Sequence, residues 1–259
     1  MSSARRLGKP SRWAHTRSKL RDCVDARIKE KREVAKGTLL VVFDLLGEEV
    51  DFDPGQYFFV NLPDIGHQDD RGLRRHISVV TAPHDRGVLG LATRMRDSAF
   101  KRTLDELPEG AEVDVEPPKG DFKLPEETPK PLVFVAGGIG ITVFRSMLRH
   151  LAETGFPTQV TLIYSNRDRE STAFLDELEQ LEEQNPELRV ILTMTQDPSW
   201  DGETRKIDAQ FFRDYLGEDL NEYTFLVAGP PGMVEGMQEA LAEAGVKEEN
   251  VNAERYSGY

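Results

Sequence analysis

Three short segments hold residue types suited to gripping phosphate. The first is LVFVAGGIGIT, an apolar run that passes through Gly137, Gly138 and Gly140 into Ile141 and Thr142. Glycines let a pyrophosphate approach the main chain, and the free amides and dipole of a following helix stabilise its negative charge. The same letters also describe an ordinary tight turn, because GGIGIT lacks the spacing of the dinucleotide fingerprint. The second is TFLVAGPPGM, where a strand pattern ends at Gly229 and Pro230 just before Met233 and a helix. A plain strand-to-helix connection is the alternative reading. The third is RRHISVVTAP, preceded by Arg71. An arginine such as Arg75 can hold a phosphate through paired hydrogen bonds, and Ser78 can offer its hydroxyl to a ring nitrogen. A run of cations is equally the make-up of a solvated face.

The elements around these segments fall into two kinds. From Val24 to Pro117, alternating or β-rich runs bounded by Gly, Pro or Asp predict six short strands: one from Val24, then TLLVVFDL, QYFFVNL, HISVVT, GVLGLATRM and AEVDVEP. A single helix, SAFKRTLDEL, places Phe100, Leu104 and Leu107 on one face and ends at Pro108. After the polar stretch LPEETPKP, strands alternate with helices: LVFVAG, FRSMLRHLAE, VTLIYS, a helix striped by Phe174, Leu178 and Leu181, RVILTMT, TFLVAG and GMVEGMQEALAEAG. The expected fold is therefore two-domain, an antiparallel six-stranded β-barrel followed by an α/β doubly wound parallel sheet. The boundaries expected are a basic tail over 1–22, a barrel over 23–128 and a nucleotide domain over 129–259.

Composition narrows the chemistry. One cysteine, Cys23, excludes an intrachain disulfide and any iron-sulfur cluster held by this chain alone, and five histidines show no metal-ligand spacing, so no metal is expected. A net charge of -13 argues against nucleic acid as a partner, and no apolar run is long enough for a membrane span. Residues 1–130 carry 23 basic and 23 acidic side chains, so the whole acidic excess lies beyond them and the first half is better able to meet an anionic partner. The first 21 residues hold seven Arg or Lys and no acid. Such a tail reads as a solvated arm of a cytoplasmic protein, with an organelle transit peptide as the other reading.

The order and spacing of these motifs resemble the ferredoxin-NADP reductase superfamily from about Cys23 onward. RHIS resembles that family's Arg-x-aromatic-Ser element, which implies FAD in the barrel, with Arg75 on its pyrophosphate, His76, Ile77 and Val79 alongside, and Ser78 bonded to the reactive flavin nitrogen. RMRDSAFK resembles the element that opens a helix under the same pyrophosphate, implicating Arg94, Ser98, Ala99 and Lys101. GGIGIT resembles the NAD(P) pyrophosphate loop, and AGPPGM the loop beneath the nicotinamide. ERYSGY resembles a terminal segment whose last aromatic ring covers the flavin, which points to Tyr259, while Glu254 matches an acid that assists proton traffic. Three positions depart from the family pattern: Ile77 replaces an aromatic, Val143 a proline and Ala228 a cysteine.

The resemblance implies hydride transfer from NADPH or NADH to FAD and onward delivery to an external acceptor, such as an acidic ferredoxin or a flavodoxin. Ser165 and Arg167, following the second strand of the nucleotide domain, can meet a ribose 2′-phosphate with help from Arg205 and Lys206, or Arg167 in NRDRE is simply solvated; no acid sits clearly at that strand end to read the ribose diol, which favours NADPH. Arg71, Arg74, Arg86, Arg96 and Arg102 form a candidate docking field. An oxygenase reductase component and a non-catalytic flavin or nucleotide sensor are the competing functions, and the oligomeric state is left open.

Overall fold

Short β-rich runs separated by glycine turns give the first half its strands, and the computed structural model describes residues 23–125, 127 and 129–256. β1 (Val24–Ala35) turns at Gly37 into β2 (Thr38–Asp44), where a φ of +66° suits a residue without a side chain. β3 (Tyr57–Asn61), β4 (Arg74–Ser78), β5 (Val88–Arg94) and β6 (Glu112–Val115) complete an antiparallel sheet in the order β4-β3-β6-β1-β2-β5. Beyond β4, the Val80 amide donates to Gly90 of β5 at 2.9 Å, which curls the two edge strands toward one another and makes the sheet a barrel. Its core holds Phe43, Phe58, Val60, Leu91 and Phe100. Phe100 and Leu104 come from α1 (Ala99–Glu106), whose start is capped by the Ser98 hydroxyl accepting from the Lys101 amide.

Buried runs without alternation mark the second sheet, whose strands are covered on both faces. β7 (Leu132–Gly137), β8 (Val160–Asn166), β9 (Leu188–Met194), β10 (Thr224–Gly229) and β11 (Val251–Arg255) lie parallel in the order β11-β10-β7-β8-β9. α2 (Ile141–Thr154) and α3 (Leu175–Gln184) cover one face, and α4 (Ala209–Leu216) and α5 (Pro231–Glu243) the other. The order reverses between β7 and β10, so the turns Gly137–Gly140 and Gly229–Pro231 sit together at the carboxyl ends of the strands, where open α/β sheets bind ligands. Two elements were not read from the sequence, α4 and the short polar strand β11.

One apolar cluster joins the two sheets. Leu40, Val80, Ala92 and Phe122 from the barrel half pack in the same core as Phe144, Met147 and Leu148 of α2. Polar contacts pin the join: Arg145 donates to the Val80 carbonyl at 2.7 Å, Ser146 to the Thr81 carbonyl at 2.6 Å, and Arg149 pairs with Asp85 through two bonds. Among the described residues, no helix is long and apolar enough to cross a membrane.

Candidate flavin and coenzyme site

β4 is an edge strand, so its side chains border open space, and a cavity of about 650 Å³ lies along it. Arg75, His76, Ile77 and Ser78 line this cavity together with Ser98 and Lys101 from the start of α1. The far wall comes from the other sheet, as Glu254, Arg255 and Tyr256 at the end of β11. The cavity also holds side chains that the motifs did not indicate: Tyr57 and Phe59 of β3, Thr93 and Phe100. The alternation in QYFFVNL puts Tyr57 and Phe59 on one face, where their rings stand 5.5 and 5.6 Å from His76, and that pattern was the available signal.

The cavity is strongly cationic. Arg75 is 15% exposed; its Nη1 donates to the carbonyls of Arg71, Gly72 and Arg74, while its Nη2 has no hydrogen-bond partner and stands 3.6 Å from Asp69. Lys101 donates to the Arg94 carbonyl at 2.6 Å, and burial, with the charges of Arg96, Arg71 and Arg75, pushes its pKa down to about 8. A buried donor with no hydrogen bond and a lysine depressed by burial and by like charges are what a pyrophosphate would satisfy. The residues therefore fit the FAD diphosphate.

Three expectations for this cavity need correction. Val79 is fully buried in the barrel core, because alternation along the chain after Ser78 turns it inward. Ala99 is also buried, and its amide donates to the Asp69 carboxylate at 2.7 Å, so the chain's own acid occupies that helix-start donor. The same bond is the leading cause holding the Asp69 pKa low. Arg94 does not line the cavity; its guanidinium crosses to the other domain, where Nη2 donates to the Ser171 carbonyl at 3.3 Å.

Ser78 is the meeting point of the two halves. Its hydroxyl donates to the Tyr256 hydroxyl at 3.1 Å, and the Tyr256 amide donates to the Gly229 carbonyl at 3.0 Å. Beside them, burial raises the Glu254 carboxyl to about 7 against the opposing pull of the Tyr256 hydroxyl, and its Oε2 is buried without a partner. In ERYSGY the terminal-ring pattern points to Tyr259, and nothing in the spacing distinguishes Tyr256. Tyr259 itself lies outside the described residues, as does the 1–22 tail.

The glycine turns are set mainly by packing against their own chain. A Cβ on Gly140 would stand 2.1 Å from the Ala228 carbonyl oxygen, and one on Gly137 would stand 2.9 Å from the Met233 sulfur. Met233 therefore lies against Gly137 and Gly229 together. Gly138, with a φ of +51°, is the member of the turn that faces Arg94. Ile141 and Thr142 are buried, the Thr142 hydroxyl donating to the Ile139 carbonyl and the Ile141 amide bonding back into the Gly138–Gly140 turn, so neither side chain is offered to a ligand there. Pro230 is exposed at the neighbouring turn.

At the end of β8, Ser165 is half-buried and Arg167 exposed. Among the described residues the Arg167 guanidinium has no ion pair or hydrogen bond. Arg205 is already committed, to Glu203 and to Asp214, each at 2.7 Å. Those bonds raise its pKa and pull Glu203 down to about 2. The docking field divides as well. Arg71 and Arg96 line the cavity, Arg74 pairs with Glu116 at its rim, and Arg102 pairs with Asp97. Arg86 pairs with Glu49 and lines a separate cavity of about 320 Å³.

Two family models match in tandem, the oxidoreductase FAD-binding domain over residues 25–124 and the oxidoreductase NAD-binding domain over 134–239. Ferredoxin-NADP reductase B of Sorangium cellulosum is 31% identical over 218 residues, covering 81% of this chain and 87% of that protein. The chain belongs to the ferredoxin-NADP reductase superfamily. It is accordingly an FAD-dependent NAD(P)H oxidoreductase. The reductase component 2 of terephthalate 1,2-dioxygenase from Comamonas is 25% identical, with 82% of this chain matched to 61% of that longer protein. Among solved structures, the FAD/NAD-binding domain of nitric oxide dioxygenase from Vibrio cholerae superposes with a TM-score of 0.79 at 20% identity, covering 91% of this chain and 99% of that one. That likeness bears out the two-sheet fold of the superfamily.

Proposed function

We propose that the protein takes hydride from NADPH onto FAD and delivers electrons to a separate acceptor protein, with a barrel domain over 23–128 and a nucleotide domain over 129–259. One observation carries this reading. Tyr256 is bonded at its hydroxyl to Ser78 of the barrel and at its amide to Gly229 of the parallel sheet, which ties the flavin-side strand to the end of the nucleotide sheet and supports a site shared between them. When bound, FAD supplies the two-electron centre between the nicotinamide and the acceptor. Arg75, Arg71, Arg96 and Lys101 hold the diphosphate through charge-assisted bonds. Ile77 would border the ring system from the barrel side and Ser78 would offer its hydroxyl to the reactive nitrogen. Tyr256, bonded to Ser78 and lining the same cavity, would border the ring system, the part that the resemblance gave to Tyr259. Glu254, neutral up to about pH 7, can pass a proton beside the Tyr256 and Ser78 hydroxyls.

NADPH is favoured over NADH because Arg167 stands exposed just past the end of β8, with no ion pair or hydrogen bond of its guanidinium among the described residues, and can meet a 2′-phosphate. The acceptor we infer is an acidic ferredoxin or a flavodoxin that meets the cationic side of the barrel, where Arg74 lies over the Phe59 ring, in keeping with the name of the Sorangium relative. The similarity to the Comamonas reductase component supports a second reading, in which the acceptor belongs to an oxygenase. Anaerobic titration of the FAD-loaded protein with NADPH and with NADH tests the core of the proposal. Bleaching of the yellow colour, with NADPH acting at lower concentration, is expected, followed by reoxidation on adding a reducible ferredoxin or flavodoxin. A flavin that neither coenzyme bleaches would sink it.

A further inference from the structure

One buried cation on the seam between the two sheets touches three segments at once. Arg145 lies one turn into α2, is 6% exposed, and donates from Nη1 to the Val80 carbonyl of the barrel at 2.7 Å. Val80 stands two residues beyond Ser78, and its own amide donates to the Gly90 carbonyl of β5. Nε of the same guanidinium donates to Glu177 of α3 at 2.8 Å, and its Cζ lies 4.7 Å from the centre of the Phe174 ring. Phe174 is held at a φ of +63° with no side-chain cap, a left-handed backbone that a bulky residue rarely adopts. Such strain persists only where the surroundings over-determine it, and Phe174 is buried with Arg145 over its ring.

The three segments belong to the parts that must agree for hydride to cross. α2 begins at the glycine turn, β4 ends at Ser78 just before Val80, and Phe174 closes the loop that follows Arg167 and β8. We propose that Arg145 is a positioning residue for the hydride step, fixing the helix behind the coenzyme turn against the end of the flavin strand; this rests on the reading of the two halves as flavin and coenzyme sites. A planar, permanently charged fork suits the task, because it holds several partners in set directions and, once buried, cannot exchange them for water. Transfer needs the reacting atoms about 3–3.5 Å apart, so a small slip of α2 against β4 costs rate. The residues that grip each diphosphate lie within one half and are left intact by such a slip.

A second contact on the seam provides the control. Arg149, one turn further along α2, pairs with Asp85 through two bonds and reaches Glu177 only at 3.7 Å. The experiment uses FAD-loaded protein and stopped-flow mixing with saturating NADPH, which separates the rate constant of flavin reduction from its amplitude, a count of folded, flavin-bearing molecules. Arg145→Met should lower the rate constant about ten- to hundredfold, with the flavin-to-protein ratio and the affinity for ADP-ribose unchanged. Amide hydrogen exchange should quicken together at Val80 and at Leu178, whose amide donates to the Phe174 carbonyl. Arg145→Lys keeps the charge and should recover part of the rate. Arg149→Met should lower the thermal midpoint while the rate constant and both amides stay as in the wild type. An unchanged rate constant in Arg145→Met, with or without a fall in amplitude, would overturn the proposal, and so would an equal slowing by Arg149→Met, which would assign the step to the seam as a whole. Should Arg145→Met fail to fold, Arg145→Lys decides, since a lowered rate constant at full amplitude supports the proposal and a wild-type rate overturns it. Wild-type flavin that NADPH and NADH both leave oxidised would defeat the underlying reading, whereas equal rates in the wild type and Arg145→Met defeat this inference alone.

Discussion

On the proposed reading the cavity along β4 and the glycine turns of the parallel sheet would each take a diphosphate, but they would meet that charge differently. In the cavity, Arg71, Arg75, Arg96 and Lys101 crowd together with unmet demand, visible in the unpartnered Arg75 Nη2 and in the lowered pKa of Lys101. At the turns, Gly137 and Gly140 are spent on contact with Met233 and Ala228, and the arrangement is self-satisfied except for Arg94. A site that repels itself when empty binds its ligand as a resident group. A site already packed against itself suits a coenzyme that arrives and leaves at each turnover.

Four substitutions break or sharpen that contrast. The largest effect is expected from Gly140→Ala, since the new methyl would meet backbone at 2.1 Å and neither turn can yield without moving its strand. Overpacking of this kind costs up to about 3 kcal/mol, read as a lower thermal midpoint. An unaltered midpoint would show that the turns are looser than the contrast requires. Next comes Arg75→Ala, which should weaken FAD binding about tenfold to a hundredfold, seen as a low flavin-to-protein ratio after gel filtration. Full retention of flavin would remove Arg75 from the cavity's function.

Glu254→Gln has a smaller effect, and its sign depends on pH. Folding lifts this carboxyl from 4.5 to about 7, so the native state holds the proton more tightly. The stability it contributes is fully present below pH 4.5 and is lost as the pH climbs through 7. The glutamine variant should match the wild type in acid and exceed its thermal midpoint above pH 7; parallel curves would contradict the burial assigned to the carboxyl. The smallest change is expected from Arg167→Ala, an exposed residue, which should reduce the NADPH-over-NADH preference about tenfold while Arg205→Ala leaves it alone. A preference that follows Arg205 would place the 2′-phosphate on the other side of the loop.

Much of this was legible in the residues. The change from alternating runs to strand-helix repetition, the capped helix at Ser98 and the three motif loops were all readable, because periodicity and turn chemistry are local. β11 was not, because Val251–Arg255 is short and mostly polar, and it is a strand only through its pairing with β10. Tyr256 was passed over for the same reason, since its place depends on where β11 ends.

By itself, then, the sequence determined two sheets and marked three candidate phosphate-gripping loops, with Ser78 as a candidate at the flavin, all from patterns that span a few neighbouring residues. Only the tertiary structure decided that Arg94 crosses to the coenzyme turn, that Asp69 occupies the Ala99 amide and that Glu254 is buried beside Tyr256. Each of those depends on distances between segments far apart in the chain, and side-chain type and spacing carry no record of such distances.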